Sequence, residues 1–394
     1  MLYFPENSIG IANAHMCLSL APKRRKSCGV GKPRHQRVRR AVEPVCENVF
    51  WRLGSAIAGL VAGLYLAGPA QANPPVRSVV DSRVSVHSAA GDGLLAVAVS
   101  HDWSKPLPGI ARAVIFVHGY HRTAVGYFAN AARLAPDNRT LVIAPQFLAP
   151  EDTAAHGLPD TVLRWQRDHW SDGGSAEGPV AMSSFEVIDS LLRTLANRAL
   201  LPDLTTIVLA GFSGGGQFVQ RYAAVGQGER LLTGGRIGLR YVVGSPSSYV
   251  YFGDERPWPE GGFGPFAGAA VCQQFNHWKY GFAGILPDYV AASLREGLTA
   301  RERRYAGLDL IYLLGTADND PNHSELDKSC AGEAQGPNRF SRGLAYFEQM
   351  RARDGAVLKQ RLWQAPGAGH QPERVFASPC GRAALFDLQG CSEN

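Results

Sequence analysis

The chain has 394 residues, 45% of them hydrophobic and 19% charged. That length allows one large domain or two small ones, and the apolar share excludes a fully disordered chain or a small disulfide scaffold. The formal charge of +6 misrepresents the body: residues 1–72 carry ten Lys and Arg against three Glu, a net of +7, leaving −1 for the remainder.

Residues 1–72 read as a leader. A basic run, Lys23–Arg40, precedes a stretch from Leu53 to Val76 that holds no charge, ending in Pro69-Ala70-Gln71-Ala72-Asn73. Basic flank, short apolar run and Ala-x-Ala is the order of a secretory signal peptide, with cleavage expected after Ala72. The alternative is a retained membrane anchor, although the apolar core is shorter than the ~20 residues that cross a bilayer. A nucleic-acid partner would rest on Lys23–Arg40 alone and is not expected; a membrane partner is expected only if the leader stays. Cys17, Cys28 and Cys46 fall in the leader, whereas Cys272, Cys330, Cys380 and Cys391 form an even set in the body. In an exported chain such a set favours two disulfides. The preferred pairing is Cys272–Cys330 with Cys380–Cys391, against buried free thiols.

From residue 73 the pattern predicts strands over Arg83–Ser88 and Leu94–His101, then alternating strands and helices. Ala113–Val117 and Thr140–Ala144 are apolar strands; Ser183–Leu200 has helical spacing of Phe185, Ile188, Leu191, Leu192 and Leu195. Thr206–Phe212 is a third buried strand, followed by a helix over Gln217–Ala224. Leu239–Gly244 and Leu308–Leu314 are further strands, Arg342–Asp354 a helix and Val357–Trp363 the last strand. Apolar strands separated by helices predict a doubly wound, mostly parallel α/β sheet covered on both faces. Residues 246–304 break the alternation with 11 aromatics. They form an insertion or cap, packing onto the core, lining a pocket, or both.

The sharpest local feature is Gly211-Phe212-Ser213-Gly214-Gly215. A bare Gly-x-Ser-x-Gly is weak, but here an apolar strand enters it and a helix leaves it. That is a nucleophile elbow, whose glycines let backbones approach closely while the serine projects above the sheet edge. A serine nucleophile needs a base, and the base needs a carboxylate. Asp318 follows the strand ending at Leu314, and His370 stands in a Gly-rich loop after the last strand. Asp320 competes with Asp318 for the acid. The run Asp318–His323 also alternates Asp, Asp and Asn, but His323 and Ser329 stand where a calcium loop needs Gly and Glu, so no metal is expected. The oxyanion should meet the backbone N–H of Gly214 and that of Tyr120, in the loop His118-Gly119-Tyr120-His121. His118 reads as a structural residue of that loop.

With His118-Gly119, the Ser213 elbow, Asp318 and His370 in that order, the chain from Ala113 to Phe386 resembles the α/β-hydrolase superfamily. Through Gly315-Thr316-Ala317-Asp318 and Gln335-Gly336-Pro337-Asn338-Arg339 it further resembles a group of largely uncharacterised secreted members. The resemblance implies a cofactor-free serine hydrolase acting most often on small or polymeric esters. Peptidase, polyester depolymerase and acyltransferase activities would use the same residues, and a non-catalytic secreted binding protein would keep the fold without the chemistry.

Overall fold

The computed structural model describes residues 74–232, 234 and 237–391. The expected leader, with its basic run and the cleavage point after Ala72, lies outside the described residues.

The described chain opens with β1 (Ser82–Ser88), β2 (Gly91–Val99), β3 (Arg112–Val117), α1 (Ala124–Leu134), β4 (Thr140–Gln146) and α2 (Pro150–Ala155). Next come α3 (Ser184–Leu195), β5 (Thr206–Phe212), α4 (Gly214–Val225), α5 (Gly228–Leu232) and β6 (Gly238–Gly244). The 246–304 stretch holds a hairpin, β7 (Glu255–Pro257) and β8 (Phe263–Pro265), then α6 (Asp288–Ser293) and α7 (Leu298–Ala306). β9 (Leu310–Gly315), α8 (Cys330–Glu333), α9 (Arg339–Asp354), β10 (Arg361–Ala365), α10 (Pro372–Ala377) and α11 (Pro379–Phe386) complete it.

Eight strands form one sheet in the order β1-β2-β4-β3-β5-β6-β9-β10. β1 and β2 join it antiparallel, and β4, β3, β5, β6, β9 and β10 are mutually parallel. This is the doubly wound, mostly parallel arrangement expected. Alternate residues of the central strands feed two separate cores. Ile115, Ile207, Leu209, Tyr241 and Tyr312 pack with α3, α4 and α9 residues such as Phe185, Phe218 and Tyr346. Val114, Phe116, Val208, Ala210 and Ile311 pack with Ala131 of α1 and Phe376 and Leu385 of α10 and α11. With both faces covered, the parallel strands need no polar side.

Several boundaries differ from the periodic pattern, each for a tertiary or local reason. β4 runs on through Pro145 to Gln146 because β2 pairs with it there, Val97 opposite Pro145 and Ala96 opposite Gln146, while Pro145 lies beyond the β3 ladder that ends at Ile143. α3 stops at Leu195 rather than Leu200, where the Asn197 side chain accepts the Ala199 N–H in place of a helical bond. The last strand starts at Arg361 rather than Val357, since pairing with β9 begins at Arg361 opposite Ile311.

The insertion is held by side chains. Tyr249, Tyr251 and Phe252 are buried in the α4–α9 core. Buried Arg256 lies over the rings of Tyr251 and Phe275 and donates to the carbonyls of Gly253, Glu255, Phe275 and Tyr280. Gln335 clamps the Tyr249 backbone from both sides. A disulfide joins Cys272 to Cys330, and a second joins Cys380 to Cys391, both as expected.

Candidate active site

The parallel strands end together, and register puts Val117 beside Gly211 and Phe212 beside Gly244. Functional side chains of such sheets gather at this carboxyl edge. Ser213 occupies the turn between β5 and α4 with φ 56° and ψ −117°, a backbone state costly for a non-glycine residue. The surroundings leave it little choice. Its N–H donates to Gly244 O at 2.9 Å, and a Cβ on Gly211 would stand 2.2 Å from Gly215 O. A Cβ on Gly215 would stand 2.2 Å from Val117 O. The glycines therefore let α4 start directly against the strand ends.

The Ser213 hydroxyl lies 2.9 Å from His370 Nε2, and His370 Nδ1 lies 2.7 Å from Asp318 Oδ2. With a carboxylate accepting at Nδ1, the imidazole carries its proton there and offers Nε2 to the serine O–H. Residues 157 apart in sequence are thus in hydrogen-bond contact. Asp318 leaves β9 in a tight turn, its N–H donating to Gly315 O, and the next backbone link runs from Ala317 N to Ala368 O in the histidine loop. Thr316 Oγ1 accepts the Gly367 N–H, so two strand-end loops are stitched together. Asp318 is buried, whereas Asp320 is exposed and its carboxylate accepts the Asn322 N–H instead. Of the two candidate acids, the structure brings only Asp318 to the histidine.

Burial pushes the His370 pKa below its ordinary value, with the Arg339 and His323 charges adding to the effect and Asp318 opposing it. The His370 ring lies 4.8 Å from Phe212 and 5.2 Å from His323, centre to centre.

The loop after β3 lies against the start of α4. A Cβ on Gly214 would stand 3.0 Å from Tyr120 N, so these two amides are neighbours beside Ser213. Gly119 O, taken by both the Arg122 N–H and the His118 ring, fixes the loop. His118 is fully buried, and its Nε2 accepts the Phe147 N–H at 3.0 Å. Burial pushes its pKa down to about 4, so it is a neutral brace with both ring nitrogens on backbone.

Arg339 had no assigned role. It is 1% exposed, its Nε donates to Ser247 Oγ, and its Nη1 lies 3.6 Å from Asp318 Oδ1. The Phe340 N–H, next in the first turn of α9, donates to Asp318 O. The stretch Gln335–Arg339, quoted above only as a point of resemblance, therefore supports both the insertion and the acid. Its signal was two polar side chains flanking a Gly-Pro before a helix.

A cleft of about 430 Å³ borders the site. It is lined by Tyr120, His121, Asp168, Gln217, Ser247, Lys279, Tyr280 and Ser324–Asp327. Tyr280 is the one insertion aromatic among them, joined from the same stretch by Ser247 and Lys279.

No family model matches the chain, and no curated protein matches it. Among solved structures it is similar to a poly(aspartic acid) hydrolase from Sphingomonas sp. KT-1, at 20% identity and a TM-score of 0.53, over 79% of this chain and 99% of that one. It is also similar to a poly(3-hydroxybutyrate) depolymerase from Bordetella parapertussis, at 18% identity and a TM-score of 0.50, over 78% of this chain and 90% of that one. Sheet order, the strand–turn–helix at Ser213 and these likenesses together give the chain the α/β-hydrolase fold.

Proposed function

We propose that the protein is an exported serine hydrolase that cleaves carboxylic esters through an acyl-enzyme. The observation that carries this reading is the unbroken chain Ser213 Oγ to His370 Nε2 and His370 Nδ1 to Asp318 Oδ2. In the acylation step Ser213 Oγ attacks the ester carbonyl as His370 Nε2 takes its proton. Asp318 holds the imidazole tautomer and stabilises the imidazolium. The Tyr120 and Gly214 N–H groups receive the oxyanion, each contributing about 3 kcal/mol of transition-state stabilisation. His370 then protonates the leaving alcohol, and water, deprotonated by the same nitrogen, releases the acid. Two disulfides in the body fit an oxidising compartment.

The test is Ser213→Ala with p-nitrophenyl butyrate. Turnover should fall on the order of 10⁴-fold or more, and a fluorophosphonate probe should label the wild type at Ser213 and leave the variant unlabelled. Undiminished turnover in the variant would overturn the reading. Peptide and polyester panels, with an alcohol acceptor present, separate ester hydrolysis from amide cleavage, depolymerisation and acyl transfer.

A further inference from the structure

The carboxylate that orients His370 has two oxygens, and each faces a different basic side chain. Oδ2 takes the His370 Nδ1–H at 2.7 Å, and Oδ1 lies 3.6 Å from Arg339 Nη1. Both side chains of the second contact are enclosed, at 1% exposure for Arg339 and 4% for Asp318, so water and salt screen it little. Arg339 is committed to this contact. Its Nε donates to Ser247 Oγ, a neutral group, and Nη1 and Nη2 have no hydrogen-bond partner. Asp318 is its one ion-pair partner among the described residues. Backbone holds the two residues together: Arg339 opens α9, and the next N–H, that of Phe340, donates to Asp318 O at 3.1 Å. The other charged groups around the pair are placed differently. Glu325 bears on both Arg339 and His370 but bonds to His121. Arg342 donates to the carbonyls of Gly336 and Ser247. His323 packs edge-on against the His370 ring, its Nδ1 accepting the Glu325 N–H, and Phe212 is the apolar neighbour of that ring. Asp320, Glu373 and Arg374 are exposed.

We infer that Arg339 is a positioning residue of the site: it shares the Asp318 carboxylate with His370, and this division keeps the imidazole neutral, and Ser213 activated, into mildly acidic solution. A carboxylate held by the imidazole alone would strongly favour its protonated form. A fixed guanidinium on the second oxygen offsets part of that attraction and repels the new charge. The sign agrees with the state of His370, which is held below its ordinary range first by burial and then, against Asp318, by the Arg339 charge. The same division makes the imidazolium less stable once formed, so the benefit is confined to the acid side. The role in catalysis rests on the hydrolase reading above; the charge sharing itself does not.

The direct test is pH titration of the His370 ring by NMR, its signal assigned by its loss in His370→Gln, which needs no turnover. The wild-type midpoint should lie below 6.5. Arg339→Gln should raise it by about 1 in pH, and Arg339→Lys, which keeps the charge, should leave it within about 0.3 of wild type. Hydrolysis of p-nitrophenyl butyrate gives the second readout. For Arg339→Gln, kcat/KM should stay within about threefold of wild type at pH 8 and fall about tenfold below it at pH 5, because a larger share of the base is then protonated. A purely structural role predicts the same loss at both pH values. That result, or a midpoint that Arg339→Gln leaves unmoved, would overturn the inference. Arg339→Met, uncharged and of similar length, repeats the measurement where the glutamine variant does not fold, and a wild-type midpoint at or above 6.5 overturns the inference without any variant. A raised midpoint in Arg339→Gln, in a protein that hydrolyses no ester, keeps the charge sharing and sinks the hydrolase reading. Ser213-dependent hydrolysis with an unmoved midpoint does the reverse.

Discussion

The carboxyl edge of the sheet and the 246–304 insertion form the two sides of one site, yet they are built by different means. At the edge, backbone meets backbone: Gly211, Gly215 and Gly315 let chain segments approach where a Cβ would collide, and ladder register fixes which strand ends are neighbours. In the insertion, few backbone ladders exist beyond the short β7–β8 hairpin. Its shape depends on the Cys272–Cys330 bond, on buried Arg256 and on Gln335. The difference teaches that the candidate catalytic side chains and the cleft wall have separate structural sources here. Ser213, His370 and Asp318 are held at the strand ends, while Lys279 and Tyr280 reach the cleft from the insertion.

The largest effects should come from the edge. Asp318→Asn leaves the shape and removes the charge that holds the imidazole tautomer, so ester turnover should drop on the order of 10⁴-fold. Asp320→Asn, two residues on but exposed, should stay within about threefold of wild type. Equal losses in a side-by-side rate assay would break the distinction between them. Next, Gly215→Ala forces a methyl into Val117 O and should cost about 3 kcal/mol or more in thermal unfolding. By contrast Ile285→Ser, at a 97% exposed position of the insertion, should change stability by less than about 0.5 kcal/mol.

The edge also carries a pH signature. His118 has a folded pKa of about 4 against 6.5 for the free side chain. Because the fold depresses it, the associated stability is complete above pH 6.5 and is lost as pH falls toward 4, by about 3 kcal/mol. Denaturant titrations across that window should show the slope, and His118→Gln should flatten it. If His370 is the base proposed above, its depressed pKa should put the acid limb of kcat/KM below pH 6.5, since only neutral imidazole accepts the serine proton. A smaller global effect than that of Gly215→Ala falls on the insertion. Replacing Cys272 and Cys330 together by Ser should cost about 2 kcal/mol and direct limited proteolysis into 246–304. Fluorophosphonate labelling of Ser213 should survive. Loss of labelling at the same rate as cleavage would show that the two regions are one cooperative unit.

The two regions were also unequally legible from sequence. Apolar runs such as Thr206–Phe212 and Ala113–Val117 need a covered parallel sheet to bury both faces, and a glycine-flanked serine after such a run admits few backbone solutions. That local chemistry marked Ser213, Asp318 and His370 as candidates before any contact was known. Strand limits were less legible, because β10 extends only where β9 is present to pair with it. The insertion was visible only as an aromatic excess. Its ordering depends on contacts far apart in sequence, such as Gln335 with Tyr249 and Arg256 with Phe275.

Sequence alone therefore determined the layer architecture and the order of the three candidate residues, because periodicity and turn chemistry are local properties of the chain. Tertiary structure alone decided that Asp318 rather than Asp320 meets the histidine and that Arg339 backs it. It also decided that Gln217 and Lys279 line the same cleft. Those are facts of distance and burial, and they exist only once remote segments have been brought together.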